Sequence, residues 1–144
     1  MNITQYQSKD RDAVLSIFDK NCPDFFAPNE RDDYLEFLDE YADGYRVCVH
    51  DDKIVGAFGL YEKDNKDSRL QWILLDPDAQ GIGLGTMIMD DVLKQAGEFG
   101  VKTIQIATSH VAFKFFEKHG ATIVSEVENG WGPGMHQVHM EIRV

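Results

Sequence analysis

Cysteine is scarce in this chain. Cys22 and Cys48 are the only two among 144 residues, they form no CxxC pair, and no Cys/His cluster has zinc-ligand spacing. A disulfide-stapled fold and a metal site are therefore not expected, although a single bridge stays open. Positive charge is also short: 14 Lys and Arg face 25 Asp and Glu, a formal net charge of -11. With no basic patch, neither nucleic acid nor an anionic membrane surface is an expected partner, whereas a cationic amine would be drawn to such a field. Acidity that serves only solubility is the plainer reading. Long apolar runs are missing too, since none approaches the roughly 20 residues that span a bilayer. The opening "MNITQYQSKDRD" turns charged too early for a signal peptide, so a cytoplasmic, reducing setting is expected. Repeats and low-complexity segments are absent, and the length suits a single domain, 1–144.

What remains is a run of short elements. "NITQYQ" reads as a strand. "SKDRDAVLSIFDKN" reads as a helix with a Ser cap and an apolar stripe of Ala13, Val14, Ile17 and Phe18. "NERDDYLEFLDEYAD" reads as a second helix, with Tyr34, Leu35, Leu38 and Tyr41 on one face and Gly44 beyond its end. "YRVCVH" and "KIVGAFGLYE" suggest a hairpin around Asp51-Asp52, and "SRLQWILLD" a central strand. A helix from about Gly83 to Phe99, the strand "KTIQIAT", a helix over "SHVAFKFFEKHG" capped by Ser109, the strand "ATIVSEVE", the loop "NGWGPG" and the strand "MHQVHMEIRV" complete the chain. The order βααβββαβαββ is an α/β arrangement with helices packed on a mixed sheet.

The stretch "DPDAQGIGLGT" sets Gly81, Gly83 and Gly85 between a buried strand and a helix. Backbone N–H groups at such a helix start can face an anion, and glycine lets a phosphate approach them. A Walker A loop would need Lys before Thr86, where Gly85 stands. A dinucleotide fingerprint would need GxGxxG in a first βα unit and an acid at the end of the next strand, and both are missing.

The segment Gln80-Gly81-Ile82-Gly83-Leu84-Gly85, after Leu75-Asp76-Pro77, resembles the acyl-CoA pyrophosphate loop of the GNAT superfamily of N-acetyltransferases. "SHVAFKFFEKHGA", Ser109 to Ala121, resembles that family's next segment, at the usual distance and in the same strand-helix-strand context. The element order agrees over nearly the whole chain. The resemblance implies a GNAT-like mixed β-sheet flanked by helices on both faces, with acetyl-CoA as acyl donor. It also implies that the amides of Gln80 to Gly85 hold the pyrophosphate of coenzyme A, assisted by the Thr86 hydroxyl. The strand Trp72 to Leu75 would splay from its neighbour at a bulge near Leu74, so that the backbone of Leu75 pairs with the pantetheine arm. Ser109, where the family often has Asn, would touch that arm or simply cap a helix. Ala112, Phe115 and Phe116 would line the channel or pack in the core.

The chain departs from the family pattern twice. Phe116 stands where a Tyr usually donates a proton to the departing thiolate, and the strand "SRLQWI" has no acid to act as base. Candidate bases are Glu62, Asp64 and His50 at strand ends and His136 or His139 on the last strand, where i and i+3 lie on opposite faces. The loop Glu128 to Met135 offers Trp131 as a wall of an acceptor pocket or as a cover for the sheet edge. Glu30, Asp33 and Tyr34 stand on helices that form the other wall in this family. The implied activity is acetyl transfer to a primary amine of a small, cationic acceptor by direct attack. The alternatives are a catalytically inactive CoA-binding sensor or interaction domain, and an enzyme with a hydroxyl acceptor or a longer acyl donor. The resemblance also allows a homodimer through the last strands.

Overall fold

In this computed structural model, residues 1–63, 66–79 and 81–144 are described. The strands β1 (Asn2–Gln5), β2 (Arg46–His50), β3 (Lys53–Glu62), β4 (Asp67–Leu75), β5 (Thr103–Ser109), β6 (Thr122–Gly132) and β7 (Met135–Arg143) form one sheet. Their order is β1-β2-β3-β4-β5-β7-β6, and only the β4–β5 pair is parallel. That pair is joined by the crossover helix α3 (Leu84–Phe99), as a parallel connection requires. The helices α1 (Arg11–Lys20), α2 (Glu30–Glu40) and α4 (Phe113–Lys118) complete the fold.

The apolar stripes of α1 and α2 are buried with two changes: Leu15 is buried where Ala13 is only half-buried, and in α2 Phe37 takes the place of Tyr41, which lies past the helix end and is 62% exposed. Val14, Leu15, Ile17 and Phe18 of α1 join Tyr34, Phe37 and Leu38 of α2 in one core, with Tyr45, Val47, Ala57 and Leu74 from the strands below. Ile88, Met89, Val92 and Ala96 of α3 join Phe116 of α4 in a second core, over Phe58, Leu60, Leu70, Ile104, Val138 and Met140. Successive strand residues point to opposite faces, so Ala57 feeds the first core and Phe58 the second. The sheet is thus mixed and covered by helices on both faces.

Two local expectations need correction, and a third, the bulge near Leu74, is placed more closely. Ser109 is the last residue of β5, not a helix cap, because α4 starts only at Phe113 and its hydroxyl makes no capping bond. The segment after Val127 is a strand rather than a loop: β6 runs to Gly132, turns at Pro133-Gly134 and returns as β7. The bulge lies in β4 at Trp72-Ile73, opposite Phe58, because pairing passes from Gly59↔Gln71 to Ala57↔Leu74. Leu74 itself is back in register.

The bulge positions the site. β4 pairs with β5 only as far as Leu70↔Ile106, whereas β5 continues beside β7 to Ser109↔Gln137. Beyond Leu70 the two parallel strands part, and a cleft opens in the middle of the sheet.

Candidate active site

A cavity of about 750 Å³ fills this cleft. One end is the glycine turn. Gly81 and Gly83 have φ of +80° and +74°, a region that L side chains rarely adopt, and the space around both is open. Gly83 caps α3 and its carbonyl accepts the first helical hydrogen bond from Met87 N–H. The N–H groups of Leu84, Gly85 and Thr86 are therefore left without intrahelical partners at the positive end of a helix dipole. Gly85 is glycine for another reason: a Cβ there would stand 2.5 Å from Phe115 Cε1 on α4. The side chains of Leu84 and Ile82 hold the turn down on the second core.

The expected cofactor residues Leu75, Gly81, Gly83, Leu84, Gly85 and Thr86 all line this cavity. So do Ser109, Ala112, Phe115 and Phe116 from the β5 side. Ile82 does not line it, and the Leu74 side chain is 1% exposed within the α1/α2 core. Gln80 lies outside the described residues, as does Asp64. The candidate bases are elsewhere. Glu62 is exposed at the end of β3, and His50 at the end of β2 pairs with Asp51. His136 Nδ1 accepts the Asn129 N–H, its ring lies 4.6 Å from that of His110, and neither His136 nor His139 lines the cavity. His136 is thus engaged by the β6–β7 hairpin.

Side chains that the sequence left unassigned hold the bulge in place. Trp72 has φ of +48°, a strained value for a bulky residue. Its carbonyl accepts a 2.5 Å hydrogen bond from Tyr45 Oη, which lies 3.0 Å from Tyr34 Oη. Burial raises both phenols above their ordinary range, so they remain neutral hydrogen-bonding groups. Asn21, buried at the end of α1, donates through Nδ2 to the carbonyls of Ile17 and Leu75. The Leu75 carbonyl thus already accepts one hydrogen bond from the protein. Replacing Tyr45 by Phe removes the donor at the bulge and is expected to destabilise the protein by about 1–3 kcal/mol. Urea unfolding would show this as a lower midpoint at unchanged slope.

The far end of the cavity is aromatic and acidic. Phe25, Phe26, Trp72 and Trp131 line it together with Glu30, the first residue of α2. Trp131 arrives there because the β6–β7 register slips between Val127↔Gln137 and Gly132↔Met135. Its Nε1–H donates to the Thr108 carbonyl at 2.7 Å, and its own carbonyl accepts from Asn29 Nδ2 at 2.7 Å. A Cβ at Gly132 would overlap Asn29 Oδ1, so the hairpin lies tight against the start of α2. Glu30 is 4% exposed, and its Oε2 accepts the Ala27 N–H at 2.7 Å. Burial pushes its carboxyl up to about 7, against the lowering effect of the Ala27 hydrogen bond and with a smaller push from Asp33.

The model of the acetyltransferase (GNAT) family matches residues 14–121. The fold is shared with Ard1 from Thermoplasma volcanium at a TM-score of 0.84 and 17% identity, over 99% of this chain and 97% of that one. It is shared with the ribosomal-protein-S18-alanine N-acetyltransferase from Escherichia coli at a TM-score of 0.79 and 16% identity, over 99% and 93%. An aminoglycoside 6'-N-acetyltransferase complexed with coenzyme A aligns at a TM-score of 0.75 and 15% identity, over 99% and 97%. Among curated proteins no sequence matches this chain closely enough to count as a relative.

Proposed function

Since the chain belongs to the GNAT family of acetyltransferases, we propose that it moves an acetyl group from acetyl-CoA to a primary amine by direct attack. The observation that carries this reading is the cavity in the β4–β5 cleft, which has a glycine-started helix at one end and a carboxyl among aromatic rings at the other. Acetyl-CoA supplies an activated thioester carbonyl. The N–H groups of Leu84, Gly85 and Thr86, with the Thr86 hydroxyl, would hold its pyrophosphate. The backbone of β4 after the bulge would run beside the pantetheine arm in the manner of an added strand.

The cavity fits such an arm in one further respect. Among the described residues, Ser109 Oγ is buried at the cavity wall without a hydrogen-bond partner, an arrangement that is unfavourable unless something else supplies one. Ser109→Ala is expected to weaken acetyl-CoA binding about fivefold, the worth of about 1 kcal/mol, while leaving thermal stability unchanged or slightly higher. Calorimetry and a melting curve on the same sample read both. An unchanged affinity would remove Ser109 from the binding residues.

The placement of the thiols supports direct attack. Neither Cys22 nor Cys48 lines the cavity, and burial raises both thiols, that of Cys48 to about 12. A covalent acetyl-cysteine on the way therefore has no placed nucleophile. Phe116 is 3% exposed and has no proton to give, so another group at the cavity or water would protonate the departing thiolate, or it leaves unprotonated.

The same Phe116 favours a second reading, a CoA-binding domain without turnover. Titration with acetyl-CoA and with CoA, followed by thiol release in the presence of primary amines, separates the two. Binding with turnover supports the transferase, binding without turnover supports the sensor, and no binding ends both. The neighbours, named for a ribosomal-protein alanine and for an aminoglycoside, show how widely the acceptor varies on this fold.

A further inference from the structure

We infer that Glu30 is the catalytic base of this chain, taking the proton from the acceptor's ammonium through Oε1. The inference rests on the transferase reading above. In the step, an N–H bond breaks, an O–H bond forms on Glu30, and the electron pair stays on nitrogen as the nucleophile. The neutral carboxyl returns its proton to water after the product leaves.

The argument begins with position. Glu30 lines the catalytic cavity from the α2 side, among Phe26, Trp72 and Trp131, whose ring faces favour a cation. One oxygen is fixed, since Oε2 accepts the Ala27 N–H, and Oε1 makes no hydrogen bond among the described residues. The carboxyl is therefore oriented by one oxygen and available by the other. The other carboxylate at the cavity, Asp76, is held by Lys20 Nζ and by the Asp78 N–H. His119 lines the cavity at the end of α4, against Phe115 on the glycine-turn side.

Charge supports the assignment. A buried carboxylate is costly unless paired, and no cation pairs with Glu30 among the described residues. Arg31, next to it, faces Asp19 at 2.9 Å, and Lys20 faces Asp76 and Asp78. The charged group acting on Glu30 is Asp33 on its own helix, which opposes its negative charge; Cys22 after α1 is a thiol raised by burial and is neutral near pH 7. From β4 and the β6–β7 hairpin, Trp72 and Trp131 share the cavity with it and do not titrate, while Arg69 of β4 and Lys118 of α4 also line the cavity and form no ion pair with Glu30 among the described residues. An ammonium ion is the partner that this site lacks. The position of the carboxyl, up to about 7, is that of a base poised for neutral pH.

Glu30 also ties down the entry to α2 through Ala27, and Glu30→Gln keeps an acceptor oxygen for that bond. The test is therefore Glu30→Gln, with n-butylamine as the protonated probe and aniline as a probe that is already neutral. Thiol release is followed between about pH 6 and 9. In the wild type, kcat/KM for n-butylamine is expected to rise through a midpoint near pH 7, because only the ionised carboxyl can accept the proton. In Glu30→Gln the inflection near pH 7 disappears and the rate simply rises with the fraction of neutral amine, the rate at pH 7 falls about 100-fold, the fall is smaller for aniline, and acetyl-CoA affinity by calorimetry is unchanged. A Gln variant with the wild-type rate and pH profile would overturn the proposal. A purely structural role would lower both amines alike.

A second readout needs no turnover. The carboxyl ¹³C resonance of Glu30, assigned by its loss in Glu30→Gln, is expected to titrate near pH 7 and to shift downward in midpoint when n-butylammonium chloride replaces sodium chloride. A midpoint indifferent to the ammonium would also overturn the proposal. Failure of the wild type to bind acetyl-CoA is a separate result, and it would bring down the transferase reading first.

Discussion

A protein carrying Gly83→Val and Gly85→Val together is expected to fold and to bind acetyl-CoA and CoA about 100-fold more weakly than the wild type in a calorimetric titration. The estimate corresponds to losing two or so charge-assisted hydrogen bonds from pyrophosphate to backbone N–H groups. The two substitutions act by different physics. At Gly83, φ is +74°, and a β-branched residue can relieve its strain only by turning the peptide groups at the start of α3. That rotation redirects the N–H groups on which the site depends. At Gly85, φ is ordinary, and the new Cβ meets Phe115 Cε1, so the ring must swing into the cavity or the helix start must lift from α4.

Neither change touches the buried residues that carry the fold, such as Ile88, Met89 and Val92 further along α3. The strain at one left-handed position is worth about 1–2 kcal/mol, which corresponds to a fall of several degrees in Tm. A circular dichroism spectrum like that of the wild type, together with lost binding, would identify the turn as the anion cradle. A folded variant that binds acetyl-CoA normally would reduce "QGIGLGT" to a turn without that role.

Phe18→Ala is expected to be the most damaging single change on the α1/α2 face, at about 3–5 kcal/mol by urea unfolding. Phe18 is fully buried, and its ring stacks on Phe26 at 5.0 Å and Tyr34 at 5.5 Å and tilts against Trp72 at 6.5 Å. Truncation removes the ring's own burial and leaves a hole that three rigid rings cannot close by changing rotamer. Against a typical total of about 5–15 kcal/mol, the loss is a large share.

The damage also has a functional direction. Phe26 and Trp72 are walls of the cavity at the end where Glu30 stands, so they lose their support together. The glycine turn rests on the other core, over Leu84 and Ile88. At low temperature, where the variant stays folded, a raised KM for the amine is expected with little change in acetyl-CoA affinity. Equal losses at both ends would show that the two cores do not act as separate supports.

The glycine turn was legible in the sequence because its chemistry is local. Left-handed φ values, a helix start and the amides freed by it lie within a few consecutive residues, and the spacing of Gly81, Gly83 and Gly85 encodes them directly. Although Tyr41 falls past the end of α2 and Phe37 is buried instead, most of the α1 and α2 stripes was legible for the same reason, since 3.6-residue periodicity is written along the chain. So was the alternation of strands and helices that places α3 between the parallel strands β4 and β5.

The exact residue of the bulge is not legible from β4 alone, because a bulge is a property of two strands. Whether Trp72 or Leu74 leaves register depends on which residue of β3 lies opposite. The Tyr45 and Asn21 hydrogen bonds that brace it join residues 27 and 54 positions apart. Ser109 looked like a cap because Ser often precedes a helix, yet β7 pairs with β5 as far as Gln137 and extends the strand through it. Strand pairing outweighed the local preference. His136, His139 and Glu62 were chosen for residue type, and only the sheet order put them outside the cleft. Glu30 carries no sequence mark that separates it from Asp32 or Asp33. Its distinction is burial without a cation, and burial is decided when distant elements close around a side chain, here α2, the β4 bulge and the β6–β7 hairpin. Local geometry was therefore set by neighbours in sequence, whereas the acidity and reach of the proposed base came from neighbours in space.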